Sequence, residues 1–196
     1  MDVRRRARSV ENMNSIAKWA REVARQHLEA PLPRRWSHTQ GVARQARSLA
    51  PILGDDADLL EAAAWLHDVG YAPDLVVTGF HPLDGARYLR DVHQADEHLC
   101  RLVAHHSCAV IEARERGLAD MLTAEFGDTP PDLIEALIYC DMTTSPDGEY
   151  LPVEERLAEI LARYGDGHLV ARAITESSPI LITAVHRVQD QMLAVS

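Results

Sequence analysis

The 196-residue sequence predicts an all-α protein, a helical bundle of about eight to ten helices in one domain. Three observations predict it. Apolar residues recur at helical steps of i, i+3, i+4 and i+7 rather than alternating. Turn residues cut the chain into helix-length pieces, and no two-residue hairpin turn separates alternating segments. Hydrophobic residues make up 46% of the chain but aromatics only 5%, so the apolar material is mostly Ala, Leu, Val and Ile. That mixture suits packed helices better than sheets. With 26% charged residues the composition is that of a globular chain with a core, not of a disordered one.

Residues 1–14 read as a flexible basic arm, with Arg4, Arg5, Arg6 and Arg8 against Asp2. Residues 15–196 read as the single helical domain. The first helix, Ser15 to Leu28, carries Ile16, Trp19, Ala20, Val23, Ala24, His27 and Leu28 on one face, and Pro31 and Pro33 end it. A second starts near Ser37 as N-cap, with Val42, Ala46, Leu49 and Leu53 inward, before Pro51 and Gly54. Asp55 to Asp58 open a third, with Leu59, Leu60, Ala63, Leu66 and His67 inward and Gly70 at its end. Residues 71–81 read as a loop. Further helices are expected at 82–93, 96–107, 108–116, 118–126, 132–142, 153–164, 167–177 and 179–194. Pro130-Pro131 and the SPDGEYLP stretch are the clearest later breaks.

The formal net charge of −10 argues against nucleic acid as the main ligand, because phosphate neutralisation needs a basic face. No apolar stretch approaches the roughly 18–20 residues of a membrane span. The basic start has no apolar run behind it and does not read as a secretory signal. Cys100, Cys108 and Cys140 are odd in number and lack CxxC spacing, so neither a disulfide framework nor a thiolate zinc site is expected. Reduced thiols point to a cytoplasmic protein.

Ten histidines in an acidic helical chain direct attention to metal-ligand spacing. His67-Asp68 closes the third helix, where two adjacent side chains can reach one ion across the terminus. His38 lies one helix earlier in WSHTQGVA. His81 opens the next helix in FHPLDGARYL. His105-His106 lie at the end of the one after, in LVAHHS. Asp141 follows the apolar run Leu133, Ile134, Leu137, Ile138, Tyr139, and a carboxylate buried there needs a partner or a metal.

His38, His67-Asp68, His81, His106 and Asp141 resemble the H…HD…H…H…D pattern of the HD superfamily of metal-dependent phosphohydrolases, over residues 35–145. The closest likeness is to the bacterial branch that cleaves dinucleoside polyphosphates. The resemblance implies an HD-domain bundle in which His38, His67, Asp68 and Asp141 bind a first divalent ion. Asp68 would bridge to a second ion held by His81 and His106, with His105 as the alternative to His106. The apolar phase of Leu99, Leu102 and Val103 favours His106. Arg35 is placed where that branch carries an arginine able to hold a substrate phosphate. The ion is one of Fe, Mn, Co, Ni, Zn or Mg, in one or two copies.

Two close divalent ions would neutralise phosphate charge and bring water's pKa into the neutral range. Two carboxylates cancel half of their charge, so the site stays positive in an acidic protein, and Arg34 and Arg35 add to that field. Asp68 and Arg35 are thus the candidate catalytic residues, and the implied substrate is a small phosphorylated molecule, a nucleotide. After His67-Asp68 the chain reads VGYAPD, without the lysine of the HDxxK form. HHSCA also lacks the extension of the cyclic-dinucleotide branch. Two other functions use the same scaffold: di-iron, O₂-dependent oxidation, and non-catalytic sensing of a ligand or metal. Asp74 reads as a general base, a specificity residue or a solvated loop carboxylate. Trp36 and Trp65 read as core walls and Cys140 as a core residue. The helices after residue 153 either complete the bundle or form a homodimer face.

Overall fold

A computed structural model describes the backbone of residues 3–127 and 129–195 and the side chains from Ile16 onward. The basic arm expected over 1–14 falls on side chains outside the described residues. The backbone from residue 3 belongs to the first helix, α1 (Val3–Leu28). There follow α2 (Pro33–Ser48), α3 (Ala50–Leu53), α4 (Ala57–Leu66), α5 (His81–Asp91), α6 (Glu97–His105) and α7 (Ala109–Glu115). The chain continues through α8 (Ala119–Glu125), α9 (Pro131–Met142), α10 (Val153–Tyr164) and α11 (Leu169–Ala194). Among the described residues there is no strand beyond one isolated bridge, Thr144 to Tyr150. No helix among them is long and apolar enough to cross a membrane.

Two helices carry the interior. In α9 every residue from Ala136 to Met142 is buried, because α2, α4, α6, α10 and α11 surround it. In α4, Ala62, Ala63 and Ala64 are fully buried, and their small side chains let α1, α2 and α9 come close. His67-Asp68 at the end of α4 and Asp141 at the end of α9 therefore emerge side by side in the middle of the bundle. α10 and α11 pack against α9 and against each other, which completes the bundle.

Besides the start of α1 at Val3 rather than Ser15 and the separation of α3 from α2, two elements differ from the sequence expectation. α2 begins at Pro33, not at Ser37. Proline suits the first helical position because its missing N–H has no intrahelical partner there. Ser37 then lies inside the helix and its hydroxyl donates to the Pro33 carbonyl. The extra turn carries Arg34 and Arg35. The second difference is α11, expected as two helices and observed as one that runs through Pro179. A mid-helix proline costs about 3 kcal/mol. Ser177, Leu181, Ala184, Val185 and Val188 nevertheless form one buried stripe across it. Burying several such side chains at roughly 1.5–3 kcal/mol each outweighs that cost.

Candidate metal centre

Each histidine of the centre is aimed by local structure. His67 caps α4, and its Nδ1 donates to the Ala64 carbonyl at 2.8 Å. His106 ends α6 and its Nδ1 donates to the Val103 carbonyl at 2.7 Å. His38 donates from Nδ1 to the Ser145 carbonyl at 3.0 Å. A carbonyl only accepts, so all three rings carry their proton on Nδ1 and turn Nε2 inward. The tight approach of the 145–148 turn to α2 requires glycine: a Cβ on Gly148 would lie 2.3 Å from the Ser37 carbonyl oxygen.

His81 is set by a different device. Asp84, in the first turn of α5, is buried and accepts from the backbone N–H groups of Val77, Thr78 and Gly79 and from the Thr78 hydroxyl. This pins the loop onto the α5 N-terminus. The His81 ring stacks on Tyr71 with centroids 3.8 Å apart, and the Arg35 guanidinium carbon lies 3.4 Å from the Tyr71 ring centroid. Arg35 also contacts the Asp68 carboxylate.

The atoms able to ligate a metal converge in two sets. Those of His38, His67 and Asp141 lie within 4.8 Å of one another, and so do those of Asp68, His81 and His106. Asp68 stands between the sets: Oδ2 is 3.4 Å from His67 Nε2 and Oδ1 is 3.4 Å from His81 Nε2. His81 and His106 oppose their Nε2 atoms at 3.1 Å. Asp141 Oδ1 faces His38 Nε2 at 3.0 Å, and Ser107 donates its hydroxyl to the other Asp141 oxygen.

These atoms suit divalent ions. Both nitrogens of His38 face oxygen acceptors, but a neutral ring has one N–H, so its Nε2 side needs a second proton or a metal. His67 Nε2 is buried without a hydrogen-bond partner. Burial pushes the His67 pKa down, but the Asp68 carboxylate outweighs it and raises the pKa to about 9. The ring thus attracts positive charge at a point where a metal would serve as well as a proton. Burial raises the carboxyl pKa of Asp68, but Arg35 and His67 outweigh it and hold it well below its usual range. For Asp141 the opposing groups are the His38 hydrogen bond and the His67 charge, again with a lowered result. Burial holds His81 and His106 in the neutral form that ligation requires.

His106, not His105, enters this cluster. His105 turns its Nε2 to the Phe126 carbonyl at 2.8 Å, across a different part of the bundle. Asp74 pairs with His27 Nδ1 at 3.0 Å on the α1 side. Trp36 and Trp65 are buried with ring centroids 5.5 Å apart, and Cys140 is buried. Thr143 and Thr144 donate their hydroxyls to the Tyr139 and Cys140 carbonyls, which leaves the Asp141 carboxylate to the centre.

The cluster floors a cleft whose walls include Arg35, Tyr71, Glu112, Arg156, Arg163 and Tyr164. Sequence reasoning passed over Tyr71, Ser107 and the α10 arginines. One signal was available: Arg156 occupies the phase of Val153, Leu157 and Ile160 on the inward face of α10. Ser107 and Cys108 also take left-handed backbone, φ 49° and 60°, which no residue type announces at those positions.

The order and convergence of these residues agree with the family comparison: the HD domain model matches residues 35–161. The chain belongs to the HD-domain family. Its similar proteins include ribonuclease Y of Thermoanaerobacter pseudethanolicus, 33% identical over 104 residues, which are 52% of this chain and 20% of that one. Ribonuclease Y of Rubrobacter xylanophilus is 37% identical over 70 residues, 36% of this chain and 14% of the relative. That of Clostridium novyi is 31% identical over 104 residues, 52% and 21% respectively. The chain thus spans about a fifth or less of the length of these relatives. No solved structure gives a significant match.

Proposed function

We propose that this HD-domain protein hydrolyses a phosphoester or phosphoanhydride of a small phosphorylated molecule, with nucleotides as the substrate class. His38, His67, Asp68 and Asp141 would hold one divalent ion, and Asp68, His81 and His106 a second. The observation that carries this reading is the position of Asp68, with one oxygen towards each ligand set, at the floor of a cleft walled by arginines. Divalent ions held there supply charge neutralisation for phosphate and acidify water to the neutral range. The chain's own contribution is placement. The Nδ1 hydrogen bonds lock three rings, Ser107 and His38 orient Asp141, and the Tyr71 ring packs against both His81 and Arg35. Arg35 would exchange its Asp68 contact for a phosphate oxygen. Free Cys100, Cys108 and Cys140 fit a cytoplasmic location for this reading.

A second reading, hydrolysis of an RNA phosphodiester, is favoured by the ribonuclease Y relatives. The net charge of −10 favours the small-molecule reading. The deciding experiment is metal analysis after purification without chelators, with a phosphate-release and product screen under Mn²⁺, Co²⁺, Fe²⁺ and Mg²⁺. The substrates are nucleotides, dinucleoside polyphosphates and a short RNA. Nucleotide cleavage that disappears in Asp68→Ala supports the proposal. Cleavage of RNA alone transfers the activity to the second reading. Bound iron without any hydrolysis overturns both and favours oxidation.

A further inference from the structure

A basic extension of the cleft reaches beyond the candidate metal ligands. A hollow adjoins the candidate metal centre and shares Arg35, His38, Arg156 and Arg163 with the main cleft, with Arg34 and Pro146 completing its wall. Arg156 is only 7% exposed, an unusual position for a guanidinium. Its Nη1 donates to Glu159 at 2.5 Å, while its buried Nε has no partner. Arg163, two helical turns further along α10, donates to the same Glu159 carboxylate from Nε at 3.0 Å and Nη2 at 2.6 Å. One carboxylate thus serves two guanidinium groups, and Asp141, the other carboxylate whose charge Arg156 feels, is already engaged by His38 and Ser107. The other charged groups around it are paired off: Arg34 with Asp147, Arg35 with Asp68, and Glu112 with Arg116.

Burying an arginine with an unused donor is unfavourable unless an anion completes it. We propose that Arg156 and Arg163 form a second anion subsite, which takes a phosphate adjacent to the one hydrolysed. This deepens the function proposed above and rests on it for the identity of the first phosphate. The substrate class is then a chain of at least two anhydride-linked phosphates, as in nucleoside or dinucleoside polyphosphates, rather than a monophosphate. Anhydride-linked phosphates are immediate neighbours, which matches two hollows that share Arg35 and His38. Successive RNA phosphates are separated by a ribose and its base, and the smaller hollow offers no aromatic face on which a base would stack.

The test does not need a turnover. Inorganic tripolyphosphate is titrated calorimetrically into full-length protein stripped of metal, then into Arg163→Gln and Arg156→Lys. Arg163 is about one-third exposed, so its substitution leaves folding intact. Arg156→Lys keeps the charge and removes the planar fork. The expected result is tripolyphosphate binding that weakens at least tenfold in each variant, with orthophosphate affinity changed much less. Equal tripolyphosphate affinity in wild type and Arg163→Gln overturns the subsite. So does a short oligoribonucleotide that is sensitive to both substitutions when tripolyphosphate is not. Failure of the hydrolase reading looks different: tripolyphosphate binding stays variant-sensitive, but the metal-loaded protein releases no phosphate from any nucleotide.

Discussion

Gly70→Ala is the most informative single change, because it adds one carbon at a defined point. A Cβ at residue 70 would lie 2.1 Å from the His81 carbonyl oxygen and 2.6 Å from the Gly85 backbone nitrogen. Both are backbone atoms of α5, so no side chain can rotate away. Restoring ordinary contact, which begins near 3.4 Å, requires α5 to withdraw by about 1.3 Å at that end. His81 is the first residue of α5, so it moves with the helix and leaves Asp68 and His106. Overpacking of this kind costs typically 1–3 kcal/mol. A misplacement of about 1 Å costs on the order of 10²-fold in rate. Gly70→Ala should therefore unfold at lower urea concentration, bind less metal at the Asp68, His81, His106 set, and lose roughly two orders of magnitude in kcat/KM. His81→Ala is the control: the same metal loss without the overpacking penalty. Wild-type stability and metal content in Gly70→Ala would refute the argument that this close approach sets His81.

Three other outcomes follow from the geometry. His106→Ala should lose bound metal and at least 100-fold activity. His105→Ala should keep its metal and lose about 1 kcal/mol of stability with the Phe126 hydrogen bond; the reverse pattern would place the wrong histidine at the centre. Asp84→Ala removes the acceptor of three backbone N–H groups and one hydroxyl, so residues 76–80 should show faster amide exchange and stability should fall by about 2–3 kcal/mol. Hydrogen bonds from Arg87, then Arg90, hold the Glu125 carboxyl down at about 2. Its folded pKa lies below the unfolded value, so its contribution, about 1 kcal/mol at this partly exposed site, is present above pH 4.5 and fades towards pH 2. Glu125→Gln should be less stable than wild type at pH 7 and nearly equal to it at pH 2 in urea titrations.

Helical class was legible because its signals are local. The apolar stripe of α1, the proline and glycine stops, and the length of α10 each depend on a few neighbouring residues. Local signals failed where a distant partner decides. Pro179 reads as a break, yet the surface offered by the rest of the bundle to Ser177, Leu181 and Val185 holds α11 in one piece. Ser37 reads as a cap, yet the proline four residues earlier already starts the helix. At the site, helical phase separated His106 from His105, because Leu99, Leu102 and Val103 fix which side of α6 faces inward. No comparable rule pointed to Ser107, whose left-handed backbone brings its hydroxyl to Asp141.

By itself, then, the sequence determined that the chain is helical, that it builds a core from small aliphatic residues, and which histidines and aspartates stand in the family's order. Those properties reside in composition, period and spacing. The tertiary structure decided that Asp68 offers one oxygen to each of two ligand sets, that three rings turn Nε2 inward, and that two α10 arginines share one carboxylate beside them. Asp68 meets His81 from another helix, His38 is turned by Ser145 from 107 positions away, and the α10 arginines reach the centre beside Arg35 and His38 from the other end of the chain; spacing along the chain does not encode where such groups meet. That information lies in how α2, α4, α6 and α10 pack around α9.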